Sequence, residues 1–355
     1  MQKNKLIKKA LMIFIVVSLA LITNSAFPAE DPRDSESPFG ALDFLAWDHA
    51  WNNHHYDGDK AKKAAKLMEE AGVGFVRMDF LWEDIEPAYG EFHFEKYDRI
   101  TDILKAHHIK ILGLLSYNAP WANAQWNAPP NKTLFTEYSK NIVRHYKDKV
   151  KYWEIWNEPD DTQYWAPQDD MKSYTELLKM VYPALKREDR SCVVVLGGLS
   201  KTIAVSLRHI YKYGGKDYFD VVNFHPFVDP HLPNAEEMLE GIYKGVYHVM
   251  EQKEDVNKSI WFSELGCPGV KTEDSANGWW LGKSPTEEEQ AEWVRTVYEK
   301  PLRWKGVQKI FWAFFRDTPN YFKNGIDHFG LLREDFSKKP AYEAYKSATV
   351  NYQTA

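Results

Sequence analysis

Val150-Lys151-Tyr152-Trp153-Glu154-Ile155-Trp156 is a short, mostly apolar run that breaks off on Asn157-Glu158-Pro159. It reads as a strand, and the longer amphipathic stretch Met171 to Lys186 behind it reads as a helix. The same unit recurs along the chain. Strands are expected at Gly40 to Ala46, Gly74 to Asp79, Lys110 to Leu115, Val150 to Trp156, Val193 to Gly198, Phe219 to His225, Ser259 to Glu264 and Gln308 to Phe315. Between them lie helical patterns at Lys60 to Ala71, Lys96 to His107, Leu134 to Tyr146, Met171 to Lys186, Ala235 to Gln252 and Thr286 to Lys300. Asp59 and Thr286 stand where helix caps belong, and Glu289 completes a capping-box pattern with Thr286.

Strand and helix pairs in alternation are the mark of a parallel sheet. A chain of 355 residues fits one closed (β/α)8 TIM barrel, since such barrels run from about 200 to over 400 residues. The competing open, doubly wound sheet lacks support, because no glycine-rich phosphate loop follows the first strand. The expected fold is therefore α/β, a single (β/α)8 barrel over residues 30–355, with no linker or low-complexity tract dividing it.

Residues 1–29 read as a signal peptide: Lys3, Lys5, Lys8 and Lys9 precede an uncharged apolar run from Ala10 to Ile22. That run is short of the roughly 20 residues a spanning helix needs. An exported, secreted or periplasmic protein is expected, without a stable membrane partner. The formal charge of −6 offers no basic field for nucleic acid. Cys192 and Cys267 fall at opposite ends of their strands, so two unpaired thiols are expected and no metal site built on them.

A parallel barrel assembles its site at the carboxyl ends of the strands. Arg77 and Asp79 close strand two; Tyr117 and Asn118 follow strand three; Asn157 and Glu158 close strand four. His225 closes strand six, Glu264 strand seven, and Trp312 with Arg316 marks strand eight. Two glutamates at strand ends suit the cleavage of a glycosidic bond, which takes one acid for the leaving oxygen and one carboxylate for the anomeric carbon.

Trp156-Asn157-Glu158-Pro159, Ser263-Glu264-Leu265-Gly266, Arg77 and Trp312 together resemble clan A, the barrel glycoside hydrolases with catalytic glutamates on strands four and seven. Within that clan the chain is most similar to the β-xylosidase-like family 39, through Pro120-Trp121-Ala122 and Phe224-His225-Pro226-Phe227, and next to the cellulase and mannanase family 5. The resemblance implies Glu158 as general acid/base and Glu264 as nucleophile of a retaining double displacement. Arg77 would lie beside Glu264 and favour its charge, and Asn157 would donate to the sugar 2-hydroxyl. His225 would bond near the acid/base or the sugar, and Trp312 would offer a face beneath it. Tyr117 and Trp121 complete the expected substrate contacts. Where many family 5 members carry a tyrosine on strand six this chain has Phe227, and Tyr117 is the candidate replacement.

The segment Trp47 to Asp57 holds three histidines and two aspartates, a composition that invites a metal. Its interleaved tryptophans suit a sugar subsite better, because sugar faces stack on aromatic rings. Trp121, Trp126, Tyr164, Trp165, Trp279 and Trp280 also fall in loops on the catalytic face. No cofactor or metal is expected, and the partner is a polysaccharide or oligosaccharide. The competing readings are a silent carbohydrate-binding barrel and a metal-dependent barrel hydrolase.

Overall fold

The computed structural model describes residues 37–167, 170–271, 284–319, 321–322 and 326–354. The expected signal segment 1–29, Trp279 and Trp280 lie outside them. Among the described residues eight parallel strands close into one barrel in chain order. They are β1 (Phe39–Leu42), β2 (Phe75–Leu81), β3 (Lys110–Ser116), β4 (Tyr152–Ile155), β5 (Val193–Leu196), β6 (Val221–Asn223), β7 (Ser259–Leu265) and β8 (Val307–Ala313). Closure is made by β1 against β8, with Gly40 opposite Phe311 and Leu42 opposite Ala313.

The expected helices appear with boundaries moved by a few residues, and three more, Trp82–Ile85, Ile203–Lys212 and Pro340–Thr354, follow β2, β5 and β8. The helix Gly58–Ala71 is capped by Asp57, whose side chain accepts from the backbone N–H of Asp59 and Lys60. Asp59 therefore sits in the first turn rather than at the cap, where its charge still complements the helix dipole. Thr286 forms the full capping box with Glu289. Cys192 and Cys267 are both buried and unpaired.

Side chains alternate along each strand, so every second residue enters the barrel. Phe75, Leu112, Tyr152, Val195, Val221, Trp261 and Phe311 form a dry inner cluster. Two positions further along β2, β4, β6 and β7 stand Arg77, Glu154, Asn223 and Ser263, all buried. Apolar packing thus closes the bottom of the barrel, and a polar layer rests on it directly beneath the mouth.

Candidate active site

Arg77 organises the polar layer. Its Nε donates to Glu154 Oε2 at 2.7 Å and its Nη2 to Glu154 Oε1 at 3.0 Å, a two-pronged bond reaching from β2 to β4. The same Nη2 donates to Asn157 Oδ1 at 2.8 Å, and Nη1 donates to Glu264 Oε1 at 2.6 Å. Because a guanidinium only donates, the Asn157 oxygen must face it, which leaves the Asn157 NH2 for the cleft. Removing a buried guanidinium from water is costly unless anions surround it, and here two do.

After β4 the chain turns through two residues in the left-handed region, Trp156 (φ 66°) and Glu158 (φ 44°). The Trp156 backbone N–H donates to the Leu115 carbonyl and its indole to that of Tyr164. This pinned turn delivers the Glu158 carboxyl to the barrel mouth. One carboxylate oxygen of Glu158, one of Glu264 and a ring nitrogen of His225 all lie within 4.8 Å of one another. Among the described residues this is the one group that could hold a metal ion, and its members already have partners, Glu158 bonding His225 and Glu264 bonding Arg77.

The two carboxyls have different surroundings. Burial, with Asp161 and Asp160 nearby, pushes Glu158 up to about 8. Burial also raises Glu264, but there a guanidinium bonds the carboxylate directly and opposes the shift. Burial raises both carboxyls, and only Glu264 has a guanidinium bonded to it that favours the ionised form.

Hydrogen-bond direction places the proton. Ser263 Oγ accepts from Asn223 Nδ2 at 2.8 Å and donates its single proton to Glu154 Oε1 at 3.3 Å. Toward His225 Nε2, 2.9 Å away, Ser263 can then only accept, so Nε2 carries the ring proton. Burial lowers the His225 pKa, which keeps the ring neutral. Its Nδ1 is therefore a lone pair, and Glu158 Oε1 at 2.7 Å must bring the hydrogen. Gly198 makes room for this ring: a Cβ there would fall 1.9 Å from His225 Nε2.

Around these groups opens a cleft of about 1020 Å³. Arg77, Tyr117, Asn157, Glu158, His225 and Glu264 all line it. Two expected contacts do not. Trp312 is fully buried with its indole bonded to the Phe329 carbonyl, because strand alternation turns it away from the mouth; Ala313 and Phe314 line the cleft instead. Trp121 packs on Trp82 and Tyr89 and bonds the Glu86 carbonyl, outside the cleft lining. Tyr117 stands edge-on to Trp126 and Trp156, and no hydrogen bond joins it to Glu264 among the described residues. The three histidines of the 47–57 segment go to separate partners: His49 to Asp84, His54 to the Asp48 carbonyl and His55 to Arg316. Glu154, Asn223 and Ser263 were not singled out above, although their period-two spacing from buried strand residues marks them as inward-facing polar groups.

Residues 50–120 match a family model described as β-galactosidase, Glyco_hydro_42. Beta-glucosidase 47 of Arabidopsis thaliana is 32% identical over 117 residues, covering 30% of this chain and 21% of that protein. The chain thus spans about a fifth of the length of that curated relative. Among solved structures, a family 39 glycoside hydrolase of Bacteroides cellulosilyticus superposes with a TM-score of 0.68 at 23% identity, over 88% of this chain and 63% of that one. GH5_18 from Streptomyces cattleya, in complex with GlcNAc, gives 0.71 at 15% identity, over 90% and 81%. In fold and in local sequence the chain resembles the barrel glycoside hydrolases of clan A, families 39 and 5 among them.

Proposed function

We propose that the chain is an exported retaining β-glycoside hydrolase acting without cofactor on an oligo- or polysaccharide. The observation that carries this reading is the pair Glu158 and Glu264, with carboxyl oxygens within 4.8 Å, Arg77 bonded to the second and His225 to the first. Direct attack fits that spacing, since retaining pairs lie about 5–5.5 Å apart and inverting pairs about 6.5–9.5 Å. Glu264 attacks the anomeric carbon while Glu158 gives its proton to the departing oxygen, forming a glycosyl ester on Glu264. Glu158, now ionised, takes a proton from water, whose oxygen displaces Glu264 and restores both groups. The Asn157 NH2 faces the 2-hydroxyl, where a hydrogen bond strengthens as positive charge develops on the ring. The leader read at residues 1–29 supports export.

Proton NMR on a cleaved β-glycoside tests the stereochemistry: the first-formed product is expected to be the β-anomer, and initial α-anomer would refute the mechanism. The rate should fall on the alkaline side as Glu158 loses its proton near pH 8 and on the acid side as Glu264 gains one. Ser263→Ala is expected to move the alkaline limb of kcat/KM to lower pH. Without Ser263 the His225 proton is free to move to Nδ1, where it stabilises the ionised form of Glu158. The shift should be about one pH unit, the worth of one hydrogen bond. An alkaline limb that stays in place would contradict the relay.

A further inference from the structure

The segment Trp47 to Asp57 takes no part in the chemistry above, yet it is heavily braced. The Trp51 indole is left 45% exposed, and one of its faces rests on the His49 ring, centroids 5.1 Å apart and 21° from parallel. His49 is itself held by Asp84 at 2.5 Å and by Asn52 at 3.1 Å, and Asp84 in turn by Lys96. Trp47 and Tyr321 pack against Trp51 from other sides, at 5.2 and 5.8 Å. A large ring kept rigid while facing water is a poor use of apolar surface in a monomer and a good use of it in a binding site.

A second such ring stands elsewhere on the mouth. Trp126 is 48% exposed and packs edge-on against Tyr117 at 4.9 Å, with Tyr164 beside it at 6.2 Å. Its loop is pinned by Asn118, whose Nδ2 donates to the carbonyls of Gln125 and Ala128. Trp126 and Tyr164 follow β3 and β4, whereas Trp51 and Tyr321 follow β1 and β8. In a closed eight-strand barrel β4 and β8 stand opposite one another, so Tyr164 and Tyr321 face each other across the ring and the two aromatic groups lie on different sides of the mouth. All four rings line the same cleft. Its volume of about 1020 Å³ stands at the top of the roughly 300–1,000 Å³ usual for small-molecule sites. A separate recess of about 380 Å³, bounded by His49, Asp84 and Pro120, shares Trp51 and Glu83 with the cleft.

We infer that Trp51 and Trp126 are sugar platforms on the two sides of the scissile bond, so that the ligand is a β-linked chain of several neutral sugars cut at internal linkages. This rests on the hydrolase reading above and adds the cleavage mode to it. The side beside Glu158 receives the departing segment, which places the leaving sugars on Trp126 and Tyr164. The retained segment extends from Glu264 toward Trp51.

The test begins with an aryl β-monoglycoside panel to find the accepted sugar, followed by the β-linked hexasaccharide of that sugar with its reducing end labelled. The wild-type protein should release products of two or more units from both ends. The ratio of kcat/KM on hexasaccharide to that on the aryl glycoside should fall about tenfold or more in Trp51→Ala. Trp126→Ala should move the preferred cleavage point along the labelled chain. Release of single sugars from one end only, with both ratio and cleavage point untouched by the two variants, would overturn the platforms while leaving the hydrolase reading intact. Calorimetric titration of the hexasaccharide into all three proteins separates the cases further. If neither an aryl glycoside nor cello-, manno- or xylohexaose is cleaved, the hydrolase reading falls; weaker binding of those hexasaccharides by both variants still upholds the platforms, whereas equal binding removes them.

Discussion

Glu264→Gln is expected to abolish turnover of every glycoside, by about 10⁴-fold or more, because an amide cannot form the glycosyl ester. Glu158→Gln should behave differently. Its loss is expected to cost about 10²–10⁴-fold on sugars with alkyl or sugar leaving groups, the usual worth of a general acid. On an aryl glycoside whose leaving group needs no proton, the first step should survive, and the glycosyl-enzyme should accumulate as a burst because its hydrolysis has lost the base. Added azide, which needs no deprotonation, should then rescue turnover in Glu158→Gln and not in Glu264→Gln. Equal losses in the two variants across leaving groups would contradict the assigned roles. The assignment depends on environment: both are glutamates, and the guanidinium at 2.6 Å from Glu264 and the His225 ring nitrogen at 2.7 Å from Glu158 distinguish them.

The second large effect is expected away from the reacting atoms. Glu154 is fully buried, bonds Arg77 through both oxygens and accepts from the Gly198 N–H and the Ser263 hydroxyl. Glu154→Leu strips the guanidinium of its principal counter-charge in a dry setting. Breaking a buried pair from one side typically costs about 3–5 kcal/mol, to be read as a lower midpoint in denaturant unfolding. Glu154→Gln, which keeps the shape and part of the hydrogen bonding, separates charge from packing. Glu154 also holds the Glu264 pKa up by like charge, so its neutral replacement should move the acid limb of the rate profile to lower pH. A Glu154→Gln protein with wild-type stability and an unmoved acid limb would show that Arg77 does not need this partner.

The barrel was legible because its repeat is written in hydrophobicity: each strand is an apolar run and each helix an amphipathic one, so tertiary context had only to close the ring. The catalytic pair and Arg77 were legible for a related reason, since polar residues at strand ends have few other uses. What escaped was set by direction rather than by spacing. Trp312 sits at a strand end, yet the pleat turns its indole away from the cleft toward the Phe329 carbonyl. Glu154 and Ser263 sit inside runs that read as apolar, and only the alternation places them beneath the mouth. The histidines of the 47–57 segment look like ligands in one dimension, but the loop fans them out to three unrelated partners.

The left-handed turn carrying Trp156 and Glu158 has a thermodynamic consequence. Two side-chain-bearing residues hold a conformation that costs on the order of 1–3 kcal/mol each, and Glu158 is in addition a carboxyl buried against its own ionisation. Its folded-state pKa, about 8, lies above the ordinary value of 4.5, so the burden is absent in acid and grows as pH rises through that interval. An uncharged residue at this position is thereby relieved of the electrostatic part, and glycine of the conformational part as well. Glu158→Gln should melt higher than the wild-type protein at pH 8 and close to it at pH 4, and Glu158→Gly should retain its fold despite losing a buried side chain. Robustness has been given up at a position where reactivity demanded it, and a variant stripped of its general acid is expected to be the sturdier molecule.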